Sequence, residues 1–176
     1  KKLTESYFGK HEDPHIIHNG TNTELISEIK AIESDVLDKF ENVWSCASSW
    51  RPHKRLEENV RYFLEHAGSK DCLIIAGENP DFRCEDPRVL YAGHLPWDAM
   101  IGLFKRSNTF LHLSWLDHCP NVVVDARAAG CNIVCSSSGG TKEIAGPGAV
   151  IIKEDEWDFS PIKLYQPPKL DFSKKE

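Results

Sequence analysis

Two carboxylates, Asp117 and Asp125, stand with seven residues between them in the stretch DHCPNVVVD. Pro120 suits the first position of a helix, because it has no N–H to leave unpaired there, and Gly130 suits the residue just past its end. The first turn of a helix leaves backbone N–H groups free and holds the positive end of the aligned peptide dipoles, so it is a natural seat for phosphate. Carboxylates repel an anion. Beside such a seat they accept hydrogen bonds from hydroxyls, as an acidic residue does from a ribose in dinucleotide folds. The chemistry therefore points to a ligand that carries both phosphate and sugar. A second candidate loop, SWRPHK, brings Arg51 and Lys54, cations suited to phosphate oxygens.

These residues need elements to position them. FLHLS (110–114) alternates apolar and polar side chains and reads as a strand that hands over to the helix through the loop WLDHC. VWSCAS (43–48) reads as the first core strand, and SWRPHK follows it. The helix KRLEENVRYFLEHA comes next, with Leu56, Val60, Phe63 and Leu64 as its inward stripe. LIIAG (73–77) is a continuous apolar run, as expected of a parallel strand covered on both faces, and VLYAG (89–93) is the next strand. WDAMIGLFKRS (97–107) reads as a scaffold helix. Ile133 to Ser136 forms another strand, followed by the glycine pair of SSSGG, with Thr141 as a helix cap, and AVII (149–152) is the edge. Strand and helix blocks alternate about six times, which predicts an α/β fold: a Rossmann-like, doubly wound parallel sheet in a single domain. Loops at the carboxyl ends of such strands bind ligands, and both candidate loops lie there.

Around this unit, residues 1–13 read as a ragged N-terminal segment, and Thr21 to Phe40 as one or two amphipathic helices. Residues 154–176 turn acidic and then Pro-rich, which predicts an extended arm or disorder. His11, His15 and His18 have helical spacing, but Pro14 and the extended PHIIHNG argue for surface or structural roles rather than a metal site.

The chain has 176 residues, enough for one domain with a real core. A net charge of −6 argues against a nucleic-acid surface, which needs clustered Lys and Arg. The six cysteines show no CxxC pair and no zinc spacing, and several fall inside apolar strands, so they read as reduced thiols of a cytoplasmic protein. No apolar run is long enough to span a bilayer. The chain opens on Lys1-Lys2 with no initiator Met, which points to an excised piece.

Taken together, these blocks resemble retaining glycosyltransferases of the GT-B type, family 4 (group 1). That family has two glutamates separated by seven residues and then a small-residue run ending in Gly; here the pair is Asp117 and Asp125 and the run is ARAAG. IVCSSSGGTKEI, LIIAGE, VLYAGHL and SSWRPHKRL follow the family's order of blocks, and the resemblance covers roughly Pro14 to Lys153. It implies the C-terminal, donor-binding half of a GT-B enzyme, holding a UDP- or GDP-linked sugar. The acceptor would sit on an N-terminal Rossmann-like domain in the same or another chain.

By the resemblance, Lys54 holds the diphosphate, Asn121 and Val122 cap it through backbone N–H groups, and Asp125 accepts from the ribose. Asp117 would accept from the transferred sugar, and His94 and Leu95 would form the rim of the nucleobase site. Lys54 and Asp117 are the catalytic pair, stabilising charge on the leaving diphosphate with no metal or other cofactor required. Ser49 stands where the family commonly has an Arg, and Arg51 is close enough to substitute. HCPN, headed by His118, replaces the family's glycine-rich segment and is expected to meet the donor. Glu143 lies at the family's downstream acidic position. Three other readings stand beside this one. They are a non-catalytic nucleotide-sugar-binding subunit of a two-chain transferase, a structural or signalling α/β module, and a dinucleotide oxidoreductase. The last is disfavoured because no GxGxxG follows the first strand.

Overall fold

The apolar runs become strands and the amphipathic runs become helices in a computed structural model that describes residues 5, 7–10, 15–158 and 160–176. Most of the segment expected over 1–13, and with it His11, lies outside the described residues. The strands are β1 (Asn42–Ala47), β2 (Asp71–Ala76), β3 (Val89–Gly93), β4 (Thr109–His112), β5 (Asn132–Ser136) and β6 (Val150–Ile152). The helices are α1 (Thr23–Glu28), α2 (Leu56–His66), α3 (Trp97–Arg106), α4 (Asn121–Ala128) and α5 (Thr141–Ile144). The strands pair in parallel in the order β3-β2-β1-β4-β5-β6. This is the expected doubly wound, Rossmann-like sheet, and its order reverses between β1 and β4.

Side chains alternate across a strand, so each strand feeds two cores. In β2, which is buried along its whole length, Cys72 and Ile74 join Ile101, Phe104, Phe110 and Val123 under α1, α3 and α4. Leu73 and Ile75 face the other way and pack with Leu56, Val60 and Phe63 of α2. Burying each such side chain is worth about 1.5–3 kcal/mol. The stripe of α2 differs from expectation at one position: Tyr62 is buried, whereas Leu64 is 37% exposed. All six cysteines are free thiols, and burial pushes Cys72 up to about 11 and Cys131 and Cys135 up to about 12, which makes them poor nucleophiles.

Several boundaries move. The stretch Thr21–Phe40 contains only α1 and a single 3-10 turn over Leu37–Lys39. The helix expected from Lys54 starts two residues later, because Pro52–Lys54 is a 3-10 turn and Arg55 is left-handed (φ 52°, ψ 53°). Pro120 is the residue before α4 rather than its first. Thr141 does not cap α5: it is already inside the helix, its hydroxyl buried without a partner among the described residues.

The C-terminal arm is extended, and it is part of the second core. Leu170 and Phe172 are buried there, with the Phe172 ring edge-on to Tyr62 at 5.0 Å and the Arg61 guanidinium 4.0 Å above it. Its end lies antiparallel to β6 through the Ile152–Lys175 bridge. Among the described residues, no helix is long and apolar enough to cross a membrane.

Candidate active site

The reversal of strand order opens a crevice at the carboxyl ends of β1 and β4, the place where open α/β sheets hold ligands. A cavity of about 410 Å³ lies here. Ala47 at the end of β1 with Ser48 and Ser49 just past it, Gly77 and Glu78 after β2, His94 and Leu95 after β3, and Asp117 and Pro120–Val122 after β4 line it. Lys54 enters from the first loop and His112 from the end of β4.

Two loops meet across the crevice because several hydrogen bonds staple them. Trp115 N–H donates to the His53 carbonyl at 2.7 Å. The Asn59 amide donates to the Arg55 carbonyl at 2.8 Å and accepts from Leu113 N–H at 3.2 Å. Arg55, in its strained left-handed conformation, turns its guanidinium away from the cavity. There it forms a fork with Glu154, at 2.9 and 2.7 Å, and donates to the Pro168 carbonyl at 2.7 Å. The loop after β4 is fixed by the expected glycine pair in a different manner. A Cβ on Gly139 would lie 2.1 Å from the Asp117 carbonyl oxygen, and Gly140 N–H donates to that oxygen at 2.8 Å. The glycines therefore let the backbone approach the loop that presents Asp117.

At the centre, one oxygen of Asp117 accepts from Lys54 Nζ at 2.6 Å and from His112 Nε2 at 3.0 Å. Burial opposes ionisation of Asp117, but the hydrogen bonds from His112 and Lys54 outweigh it and hold the carboxyl well below the usual carboxylate range. Burial pushes His112 below its ordinary value against the pull of Asp117, so the imidazole is neutral at pH 7 and its Nε2 bears the proton. Among the described residues, Oδ1 of Asp117 and two of the Lys54 ammonium protons have no partner.

Across the cavity, α4 presents its first turn. Val123 N–H bonds back to the Pro120 carbonyl, and the N–H groups of Asn121 and Val122 are the ones the helix leaves open. Asp125, one turn on from Asn121, is half-buried outside the lining, where its Oδ2 accepts from Trp97 Nε1 at 3.0 Å. Trp97 thus does more than scaffold α3. His94 sits 3.6 Å from Glu78 at the open end.

The structure brings Lys54, His94, Leu95, Asp117, Asn121 and Val122 to one cavity. It leaves three expected residues outside the lining: Asp125, held by Trp97, together with Arg51 and His118. Arg51 is exposed and precedes Pro52 in extended conformation (φ −151°, ψ 159°), and the turn that follows carries Lys54, not Arg51, to the lining. His118 is exposed and also outside it, one residue past Asp117. Glu143 pairs with His18 at 3.1 Å rather than facing the cavity. Three residues were missed. His112 sits within the apolar alternation of a strand and reads as core, and only the company of Asp117 gives it another role. Asn59 and Arg55 lie in a helical pattern that offers no sign of the loops they join.

The family model described as Glycosyl transferases group 1 matches residues 57–159. The chain belongs to this family. No curated protein sequence matches it. Among solved structures, this group 1 domain is similar to Anabaena Alr3699/HepE in complex with UDP-glucose, with TM-score 0.65 and 20% identity over 88% of this chain and 48% of the other. AviGT4, a glycosyltransferase involved in avilamycin A biosynthesis, gives TM-score 0.57 at 16% identity over 94% of this chain and 51% of its own. WaaG, a glycosyltransferase involved in lipopolysaccharide biosynthesis, gives TM-score 0.56 at 15% identity over 74% and 38%. The likeness is one of fold, that of the Rossmann-like C-terminal half of GT-B glycosyltransferases. The group 1 domain spans about half the length of the structures it matches, or less.

Proposed function

We propose that this domain binds a nucleoside diphosphate sugar, UDP- or GDP-linked, as the donor for glycosyl transfer to an acceptor held by a second Rossmann-like domain. The observation that carries the reading is the Lys54–Asp117 pair facing the open end of α4 across the switch-point cavity. Lys54 and the Asn121 and Val122 N–H groups supply positive potential to a diphosphate from two sides. Asp117 accepts from hydroxyls of the transferred sugar through its unengaged oxygen. His112, by occupying the other oxygen, positions the carboxylate and keeps it ionised. Asp125, steadied by Trp97, accepts from the ribose, and His94 and Leu95 border the base. Lys54 and the helix end gain strength as negative charge gathers on the leaving diphosphate, which is electrostatic stabilisation of the transition state. Arg51 has no part in this arrangement.

Fluorescence or calorimetric titration with UDP-glucose, GDP-mannose and the free nucleotides tests the reading. Saturable binding that is lost in Lys54→Ala and Asp117→Ala, both still folded, is the expected result. Binding unchanged by both substitutions would favour a structural α/β module. Transfer is expected to be slight in the isolated chain, because acceptor recognition belongs to the other domain.

A further inference from the structure

Asn19 reaches the rim of the cavity from a distant part of the chain, and the hydrogen bonds there decide which way an amide faces. A backbone carbonyl can only accept, so the Asn19 side-chain atom 3.1 Å from the Cys119 carbonyl oxygen is its amide nitrogen. That same nitrogen lies 2.8 Å from Asn121, and the atom it meets there must be the Asn121 carbonyl oxygen. The Asn121 NH2 group is left with no protein partner among the described residues, on a residue that lines the cavity. Two further contacts hold the segment in place. Asn19 N–H donates to Cys119 Sγ at 3.4 Å, and His18 pairs with Glu143 at 3.1 Å beside α5.

We propose that the Asn121 side chain is a donor-only hydrogen-bonding group for the oxygens of the bound glycosyl donor, and that Asn19 is the positioning residue that sets its orientation. The inference rests on the donor-binding reading above. An amide free to rotate would offer an oxygen as readily as an NH2, and an oxygen repels phosphate. Pinned by Asn19, it offers two N–H donors beside the positive end of α4, the polarity that phosphate and sugar oxygens require. Lys54 approaches the same space from the opposite loop, so the occupant's oxygens meet donors on both sides.

The test is a double-mutant cycle on the full chain, with UDP and UDP-glucose titrated separately. Asn19→Asp cannot donate, so the Asn121 amide turns over and presents its oxygen. Affinity is expected to fall about tenfold, the scale of one hydrogen bond to a charged group. Asn121→Ala is expected to fall as far, and the double variant no further. In wild type, the Asn121 side-chain NH2 resonances should shift on addition of ligand. Loss with both ligands assigns the contact to the diphosphate, and loss with UDP-glucose alone assigns it to the transferred sugar. Either supports the proposal. If wild type binds and both single variants bind equally well, or the two losses simply add, the proposal is overturned while the donor-binding reading stands. If wild type binds no nucleotide or nucleotide sugar, that reading fails and this inference fails with it.

Discussion

Lys54 and Arg55 are neighbours in sequence, yet their ion pairs lie on opposite sides of one loop and are built differently. The Arg55–Glu154 pair has side chains 1% and 8% exposed, with the fork complete and two further carbonyls, of Leu113 and Pro168, on the guanidinium, whose buried Nε has no partner among the described residues. The Lys54–Asp117 pair is more open, at 21% and 15%, and keeps one carboxylate oxygen and two ammonium protons unused. A pair that holds the fold has used nearly all its hydrogen-bonding capacity. The pair proposed to meet a ligand keeps some in reserve. The left-handed turn at Arg55 is what sends the two side chains apart, at a backbone cost on the order of 1–3 kcal/mol that the buried fork offsets.

The comparison breaks most severely at the buried pair. Arg55→Met strands the Glu154 carboxylate, and a loss of about 3–5 kcal/mol is expected in urea unfolding. Gly139→Ala comes next: φ is 75° and the new methyl would collide with the Asp117 carbonyl, so the loop must move. A loss of more than about 1 kcal/mol is expected, together with weaker nucleotide binding by titration. Lys54→Ala should separate the two pairs most clearly. Stability should change by no more than about 1 kcal/mol, because the pair is partly exposed, while donor affinity falls about tenfold or more. Equal damage to stability from Lys54→Ala and Arg55→Met would remove the distinction.

The smallest effect concerns pH. Both His112 and Asp117 titrate lower in the folded protein than their ordinary values of 6.5 and 3.8. In each case the unfolded chain takes up a proton that the folded protein refuses. The stabilisation is complete above the ordinary value and is lost as pH falls below it. Stability should therefore decline first below about 6.5 and again below about 4, each with a slope of at most about 1.4 kcal/mol per pH unit. His53 is also held below its ordinary value, chiefly by burial, so His112→Gln should reduce the first decline without abolishing it and leave the second, as thermal unfolding across pH would show.

Much of the scaffold was legible from local pattern. Apolar runs such as LIIAG, the strand-to-helix passage around Asp117 and the loop holding Lys54 declare themselves over a few residues, because strand and helix periodicities are local. The boundaries that slipped did so where tertiary contact overrides local preference. Arg55 reads as a helix residue until the pull of Glu154, 99 positions away, fixes its left-handed turn. Arg51 and Lys54 look alike as cations of one loop, and only the 3-10 turn between them decides which one reaches the cavity.

By itself, the order of residues determined the α/β alternation, the parallel sheet and the two loops at the carboxyl ends of its strands, since backbone geometry and side-chain periodicity settle these within a dozen positions. The folded chain alone decided that a strand histidine, His112, would share an oxygen of Asp117, and that Asn19 would orient Asn121 from 102 positions away. A hydrogen bond depends on which groups meet and in what direction. Residues far apart in sequence acquire that relation only when the sheet brings them together.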